Sequence, residues 1–372
     1  MDVDPKAVWT PAPELERFMR EVFVGLGVPR PDAKICAETL IEADLLGFDS
    51  HGISRLKPIY YDRIREGIQK PLTRLRVLRD RDSTAVLDGG NGMGHVVARA
   101  AMDLAIRKAK TYGTAMVAVK NSTHFGIAGH YALRAARRGC IGIVGTNARP
   151  SVAPTFGVEN MLGTNPITFG MPTDEPFPFL LDCATSTIQR GKVEIYAKLG
   201  KPLPKGWVVN HAGQSRTDAT AVLEELVAGH AALLPLGGAG EETAGYKGYG
   251  YATAVEILCA ALQNGPFLKA LNGRDSRGRK IPYPLGHFFI AIDVSHFLPL
   301  RFFKATAGGI LRQLRASRRA PGARRIYTAG EKESLTLLER TRRGIPVNRE
   351  TQKEMLQMRE ELHLRYFPFS FQ

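Results

Sequence analysis

A histidine and an arginine near residue 50 are the residues of this chain best suited to acid–base chemistry on a small anion. Ser50-His51-Gly52-Ile53-Ser54-Arg55 places an imidazole four residues ahead of a guanidinium. Histidine changes charge near neutral pH, and arginine binds a planar carboxylate through two parallel hydrogen bonds. Asp49 or Ser50 is suited to cap a helix, which predicts a helix start that stacks His51 over Arg55. A surface helix start with incidental charges has the same spacing.

A second imidazole follows a predicted strand. Asn121-Ser122-Thr123-His124-Phe125-Gly126 begins where an α/β sheet presents its ligands, which makes His124 a second candidate acid or base. His130 falls inside a predicted helix and suits a structural role. The nine histidines contain no His-Glu-x-x-His arrangement, and the spacing of His124 and His130 is not that of metal ligands, so no metal site is predicted.

Other known site patterns are incomplete in this sequence. Gly89-Gly90-Asn91-Gly92-Met93-Gly94 lies between a strand and a helix, but position 95 is histidine and no acidic residue follows at the required distance, so it predicts a glycine-rich turn. Lys247, between glycines, suits a Schiff base or a phosphate contact, which leaves a pyridoxal enzyme as one alternative. Asp182 ends an apolar strand, where helix capping by the following hydroxyls is the alternative role.

The elements that must position these residues follow from hydrophobic periodicity. Helical spacing covers residues 14–26, 32–46, 93–112, 128–138, 249–263, 300–316 and 333–363, and strand patterns cover 84–88, 114–119, 141–146, 166–171, 177–183 and 286–294. Strands alternating with helices indicate an α/β fold. Residues 205–245 and 265–285 are predicted as long loops or small insertions. The terminal helical segments are expected to pack together as a discontinuous domain.

The net charge and composition limit which classes of partner and which compartment are expected for this protein. The 372 residues carry a formal charge of +15, of which residues 301–372 contribute 16 Lys/Arg against 7 Asp/Glu. The sequence contains no nucleic-acid-binding module in addition to this charge. Small anions are therefore the expected partners, and nucleic acid is not expected to bind. The four cysteines are widely spaced, and neither a secretory leader nor a long apolar run is present, which predicts a cytoplasmic protein without a membrane partner.

Further segments lie along the chain in a fixed order. They are Ser50–Lys57, Ser122–Gly126, Gly145–Pro150, Leu162–Pro166, Leu181–Ser186 with Gly191-Lys192, and Tyr246–Gly250. Together they resemble the type-2 malate/L-lactate dehydrogenase family, whose members are non-Rossmann NAD(P)-dependent oxidoreductases. The resemblance runs from about residue 12 to residue 365. It implies a homodimer and an α/β chain with a central NAD(P)-binding domain at residues 81–299. A helical, substrate and dimerisation domain would comprise residues 1–80 plus 300–372.

The resemblance also implies roles for individual residues. The acid or base is His51 or His124; we favour His51, polarised by Ser50, with His124 beside the nicotinamide or sharing the proton. Substrate contacts are implied for Arg55, Arg149, Thr164, Asn165, Arg190 and Gly191. Cofactor contacts, to NAD or NADP, are implied for Phe125, Gly126, Asp182, Cys183, Ala184, Lys247, Gly330 and Glu331. Arg149 would bind a distal carboxylate.

The sequence departs from the family pattern at three places. Cys183 replaces the more usual methionine, Ala329 stands where proline is typical, and Lys192 follows glycine where the cyclic-imine reductase has a carboxylate. Residues 147–150 are most similar to malate-type members. Oxidation of malate to oxaloacetate is therefore expected. Lactate, sulfolactate or ureidoglycolate dehydrogenase and imine reductase are alternatives within the family, and a basic nucleic-acid- or ligand-binding protein on the same scaffold is the alternative outside it.

Overall fold

The computed structural model describes residues 6–371 and is built around a mixed sheet. In the described part of the chain the strands are β1 (Val8–Thr10), β2 (Arg76–Asp80), β3 (Thr84–Asp88), β4 (Thr114–Ser122), β5 (Cys140–Thr146), β6 (Ile167–Met171), β7 (Phe179–Cys183), β8 (Val208–Asn210), β9 (Ala231–Leu233), β10 (Leu285–Asp293) and β11 (Ile345–Val347). The large sheet has the order β2-β3-β4-β10-β5-β6-β7. Only β3 and β4 are parallel neighbours in it. The predicted α/β class is confirmed.

The helices cover this sheet and its edges. They are α1 (Ala12–Gly25), α2 (Arg30–Leu45), α3 (Asp62–Arg65), α4 (Gly94–Tyr112), α5 (Ala128–Ala136), α6 (Arg190–Lys198), α7 (Ala219–Ala228), α8 (Gly245–Ala260), α9 (Leu300–Ala316), α10 (Glu331–Arg343) and α11 (Arg349–Glu361). Helices α4 and α5 bury apolar residues against β3, β4, β5 and β10, as their periodic stripes predict. Most of the predicted elements from residue 84 to residue 316 therefore exist with bounds shifted by a few residues.

The register of β10 brings two chain segments together at the same end of the central strands. β10 runs antiparallel to both β4 and β5, with Leu285 opposite Ser122 and His287 opposite Thr146. The carboxyl ends of β4 and β5 therefore lie on either side of the start of β10. This pairing places the segment after Ser122, which contains His124, beside the segment after Thr146.

Helices from both ends of the chain share one apolar core. Side chains of α1, α2, the segment after it and α11 form this cluster, and Phe18 meets Phe367 and Phe369 edge-on within it. The prediction of one helix over residues 333–363 is wrong. Gly344 adopts a left-handed φ of 93°, and residues 345–347 form β11, which pairs with β1 near the N-terminus. The division into two domains at residues 80 and 300 stays a prediction.

The segment predicted as a long loop over residues 205–245 is partly ordered structure. It contains β8, α7 and β9, and the side chain of Asp218 caps α7 by accepting hydrogen bonds from two backbone amides. Apolar residues of this segment pack with α6 and α8 in a core of their own, which includes Val193, Val222 and Leu233. The short strands and the single amphipathic helix were too weak as patterns to be recognised among the glycines. Residues 265–285 contain one short 3₁₀ turn, Leu268–Leu271.

None of the helices within residues 6–371 is both long and apolar enough to span a membrane.

Candidate active site

The predicted helix start at Ser50 is wrong, and the physical reason lies in the preceding helix. Asp44 of α2 is buried, and its Oδ2 accepts a hydrogen bond from the backbone N–H of Ile53 at 2.8 Å. Gly52 lies directly over this carboxyl group, and the chain becomes helical only from Ile53, as a 3₁₀ turn followed by a π-helical turn over residues 56–61. His51 therefore precedes the helix instead of stacking on Arg55. Burial raises the pKa of Asp44 to about 8, so its carboxyl group adds little negative charge beneath the loop at pH 7.

A buried arginine from the C-terminal region fixes the same loop. Arg340 of α10 donates to both carboxylate oxygens of Asp49 and to the carbonyl oxygen of Asp44. Its side chain is 7 % exposed, so this bidentate pair is shielded from water on the arginine side. The loop of residues 49–55, termed here the catalytic loop, is thereby held between α2 and α10.

The structure brings the two predicted histidines together. The rings of His51 and His124 are nearly parallel, with their centroids 6.0 Å apart. Ser50 Oγ lies 2.8 Å from His51 Nδ1, which is the contact expected if Ser50 polarises His51. The hydroxyl of Tyr60 lies 2.5 Å from His124 Nδ1. Two imidazoles that are 73 residues apart in the sequence thus face one space.

Both imidazoles are neutral at physiological pH. Burial lowers the pKa of His51 to about 4, and the charge of Arg55 adds to the effect. Burial, followed by the neighbouring His51, holds the pKa of His124 well below its ordinary value. A neutral imidazole is the form that accepts a proton or donates a hydrogen bond from its single N–H.

The two histidines line a cleft of about 120 Å³. Eight residues predicted from sequence contribute to its wall: Ser50, His51, His124, Phe125, Gly126, Thr164, Asp182 and Ala184. Nine further lining residues were not predicted: Phe48, Ile127, Ala128, Thr146, Asn147, Ala148, Pro166, Gln189 and Leu285. Most of these flank a predicted motif, so proximity in sequence was the signal available; Leu285 is explained only by the register of β10.

Asp182 links the cleft to the first turn of α5. Its Oδ1 accepts a hydrogen bond from the Thr168 hydroxyl at 2.8 Å, and its Oδ2 accepts one from the Gly129 N–H at 2.7 Å. Burial nevertheless raises the pKa of Asp182. The carboxyl group occupies the N-terminal turn of α5 and does not cap a helix that follows its own strand.

The start of α6 lies against Ser50 and Arg55 of the catalytic loop. Arg55 Nε donates to the Ser50 carbonyl oxygen, and its Nη2 lies 3.9 Å from Glu194. A Cβ on Gly191 would lie 3.3 Å from both Arg55 Nη2 and Ser50 Cβ, so glycine allows α6 to approach. Arg190 is exposed and pairs with Glu194 at 3.2 Å. These residues adjoin Ser50 without lining the cleft.

Arg149 and Asn165 occupy different environments. Arg149 follows the cleft residue Ala148, has no carboxylate partner among the described residues, and faces other arginines including Arg63 and Arg190. Desolvation, reinforced by these positive charges, lowers its pKa. Asn165 is fully buried, and its amide binds Glu256 and backbone groups, so its side chain supports the cleft wall from behind.

The remaining predicted cofactor residues lie outside the cleft. Cys183 follows Asp182 and is half-buried, with Sγ 3.9 Å from a backbone carbonyl. Lys247 is exposed in the first turn of α8, above the Tyr246 ring. Gly330 packs on the Pro178 carbonyl beside β7, where a Cβ would lie 2.4 Å from that oxygen, and Glu331 is buried against Arg325. Their predicted contacts with a cofactor stay predictions.

The lining of the cleft fits a nicotinamide ring next to a small polar substrate. Apolar groups form part of the wall and can pack on a flat ring; they are Phe48, Ile127, Ala128, Pro166 and Leu285. Imidazoles, hydroxyls, two side-chain amides and one carboxyl group supply its polar part. Within residues 6–371, no three His, Cys, Asp or Glu side chains are placed to hold a metal ion. The donor set is thus that of an acid–base site.

A larger apolar cavity lies elsewhere in the molecule. Its volume is about 370 Å³, and its wall includes Tyr249, Ile257 and Phe267 on and after α8. It contains none of the residues predicted to act in catalysis or binding.

Comparison with known proteins decides the family. The profile of the malate/L-lactate dehydrogenase family matches residues 10–356. The chain belongs to this family. Its members are dehydrogenases, so the chain is an oxidoreductase, and the family membership expected from the sequence motifs is confirmed.

Individual members of the malate/L-lactate dehydrogenase family resemble the chain over almost its whole length. Malate dehydrogenase of Pyrococcus horikoshii is 44% identical over 353 residues, which are 95% of each chain. L-sulfolactate dehydrogenase of Methanocaldococcus jannaschii is 36% identical over 95% of this chain and 97% of its own. The crystal structure of malate dehydrogenase from Entamoeba histolytica superposes with a TM-score of 0.94 at 42% identity, covering 98% of this chain and 99% of that one.

Proposed function

We propose that the chain is an NAD(P)-dependent malate dehydrogenase. The stacked His51–His124 pair in the cleft, with Arg55 adjoining it at Ser50, is the observation that carries this proposal. It places a proton acceptor and a hydrogen-bond donor in the cleft and a carboxylate-binding cation next to it. The similarity to malate dehydrogenases over 95% of the chain supports malate as the substrate. Steady-state kinetics with malate, lactate, sulfolactate and ureidoglycolate, each with NAD and NADP, tests it; the highest kcat/KM is expected for malate.

The chemistry divides between the two imidazoles. Oxidation removes a hydroxyl proton and a hydride from C2, and the bound nicotinamide supplies the hydride acceptor. His51 is assigned to take the proton: with Nδ1–H as the donor to Ser50 Oγ, 2.8 Å away, Nε2 is left to form the new N–H bond as the substrate O–H bond breaks. His124 lies beside the same oxygen and shares in holding it. Arg55 binds the C1 carboxylate and directs C2 toward the nicotinamide.

Arg149 is proposed to bind the distal carboxylate of malate. Arg149→Ala is expected to lower kcat/KM for malate by about 10- to 100-fold, the usual worth of a charge-assisted hydrogen bond, with little change for lactate, which has no distal carboxylate. Steady-state kinetics of the wild type and the variant on malate and on lactate measure the two changes in kcat/KM. Arg274→Ala is the matched control, because Arg274 also faces Arg149 but bonds only to a surface carbonyl. Equal losses on malate and lactate would reject the role.

The depressed pKa of His51 predicts the acid limb of the pH profile. Because the neutral form of a histidine with a pKa of about 4 persists as pH falls, kcat/KM for malate oxidation should stay nearly constant from pH 8 to about pH 5. The activity is then lost as pH falls through about 4. The profile is measured with allowance for titration of malate itself. An acid limb centred near the ordinary histidine value of about 6.5 would contradict this expectation.

A homodimer is the proposed assembly. Apolar side chains on the outer face of α9, among them Phe302, Ile310 and Leu314, are about half exposed in the single chain, and a second copy would cover them. Light scattering coupled to size-exclusion chromatography measures the mass, with twice 40.8 kDa expected. NAD and NADP are both kept as candidate cofactors in the kinetic panel.

A further inference from the structure

Tyr60 makes a direct contact with His124 from behind the cleft. It lies in the π-helical turn of residues 56–61 and is fully buried. Its hydroxyl lies 2.5 Å from His124 Nδ1. Because the Tyr60 hydroxyl is hydrogen-bonded to Nδ1, Nε2 is the nitrogen of His124 that can contact a ligand. The sequence motifs gave Tyr60 no role.

Nearby donors determine which way the hydrogen of this contact points. The backbone N–H of Gly126 donates a hydrogen bond to His124 Nδ1 at 3.4 Å. An amide N–H can only donate, so Nδ1 accepts, and the Tyr60 hydroxyl, 2.5 Å from the same nitrogen, also donates to it. Nδ1 is then an acceptor, and the single proton of the neutral imidazole resides on Nε2.

Within residues 6–371, no second acceptor forms a hydrogen bond with the Tyr60 hydroxyl. The ring of His95 packs on Tyr60 with the centroids 4.7 Å apart, but neither nitrogen of this buried histidine makes a hydrogen bond. Tyr60 therefore has one acceptor, His124. The charged or titratable groups that face His124 besides Tyr60 are His51, His95, Arg55 and Arg63, and the positive charges among them oppose a second proton on the ring.

We propose that Tyr60 is a positioning residue that holds His124 as the tautomer protonated on Nε2. In this form His124 donates a hydrogen bond to the C2 oxygen of the substrate, while His51 carries the transferred proton. The inference rests on the proposed function in placing His124 beside that oxygen. The C2 oxygen of the substrate gains negative charge during reduction. A hydrogen-bond donor stabilises this charge best when it already points at the oxygen and does not have to reorient.

The tautomer is measured without reference to activity. In protein labelled with ¹⁵N-histidine, the His124 signals, assigned by their loss in His124→Gln, should show Nε2 protonated and Nδ1 unprotonated. In Tyr60→Phe, which keeps the buried ring, the protonated fraction at Nε2 should fall. Tyr61→Phe is the control, because Tyr61 lies in the same turn but donates to Glu361. A wild-type His124 protonated on Nδ1, or a Tyr60→Phe spectrum identical to wild type, would overturn the proposal.

Kinetics give the second readout. Tyr60→Phe should lower kcat for oxaloacetate reduction by about 10-fold or more, with KM for the cofactor unchanged, whereas Tyr61→Phe should retain wild-type kcat. An unchanged kcat in Tyr60→Phe would contradict the role. If His124→Gln retains full turnover while the tautomer still depends on Tyr60, the assignment of His124 to the proposed reaction fails and the structural role of Tyr60 stands.

Discussion

Replacing His51 by alanine is expected to abolish measurable turnover of malate while cofactor binding is retained. Removal of a general base costs about 10²- to 10⁴-fold in rate, and alanine also removes the ring that stacks on His124. The cofactor contacts proposed at Asp182 and Ala184 lie on β7 and just after it, in a segment separate from that of His51. Turnover is measured by absorbance of the reduced nicotinamide, and binding by its fluorescence on titration.

His211→Ala is the control for the loss of an imidazole. His211 lies at the surface of the lobe formed by β8, α7 and β9, where it bonds to the Gly229 carbonyl. It should leave turnover unchanged. Full turnover in His51→Ala would move the proton-carrying role to His124, and loss of cofactor binding would show that His51 acts mainly in building the cleft.

Gly52→Ala is expected to displace the catalytic loop and lower both stability and activity. An added Cβ would lie 1.9 Å from Asp44 Oδ1, which a buried carboxyl group on α2 cannot avoid without breaking its bond to the Ile53 amide. Overpacking and one lost buried hydrogen bond together correspond to about 2 to 5 kcal/mol. Urea denaturation measures the free energy of unfolding, and kcat/KM for malate reports the position of His51 and Arg55.

Gly309→Ala in α9 is the matched control for this substitution. The nearest atom to an added Cβ there is the end of a flexible arginine 4.0 Å away, and alanine favours a helix by about 1 kcal/mol over glycine. Gly309→Ala should therefore leave stability equal or higher. Wild-type stability in Gly52→Ala would show that the loop can pass over Asp44 by another route.

Local patterns predicted most of the fold between residues 84 and 316 because strands and amphipathic helices there follow their ordinary periods. The interruption at Gly344 was missed, since the charged, helix-favouring residues on both sides of it conceal a strand of three residues. The lobe built on β8 and β9 was missed for a related reason: its core is completed by α6 and α8, which lie outside the segment.

The candidate site was predictable where a motif carries its own chemistry. His51 and His124 could be named from residue type, and they do share a cleft. The supporting residues Asp44 and Tyr60 could not be named, because they act through contacts that depend on the path of the chain around Gly52 and on the π-helical turn. Asn165 shows the converse: its motif suggested a substrate contact, whereas its buried amide binds Glu256.

Helix α10 connects the turn on β7 to the catalytic loop, which is not evident from the individual residue contacts. Its first residues follow the turn seated on β7, and Arg340, nine residues later, binds the catalytic loop about 14 Å away. Because α10 is one continuous helix of 13 residues, it fixes the distance between these two parts of the site. The turn on β7 and the catalytic loop are therefore held at a set separation by the geometry of a single element.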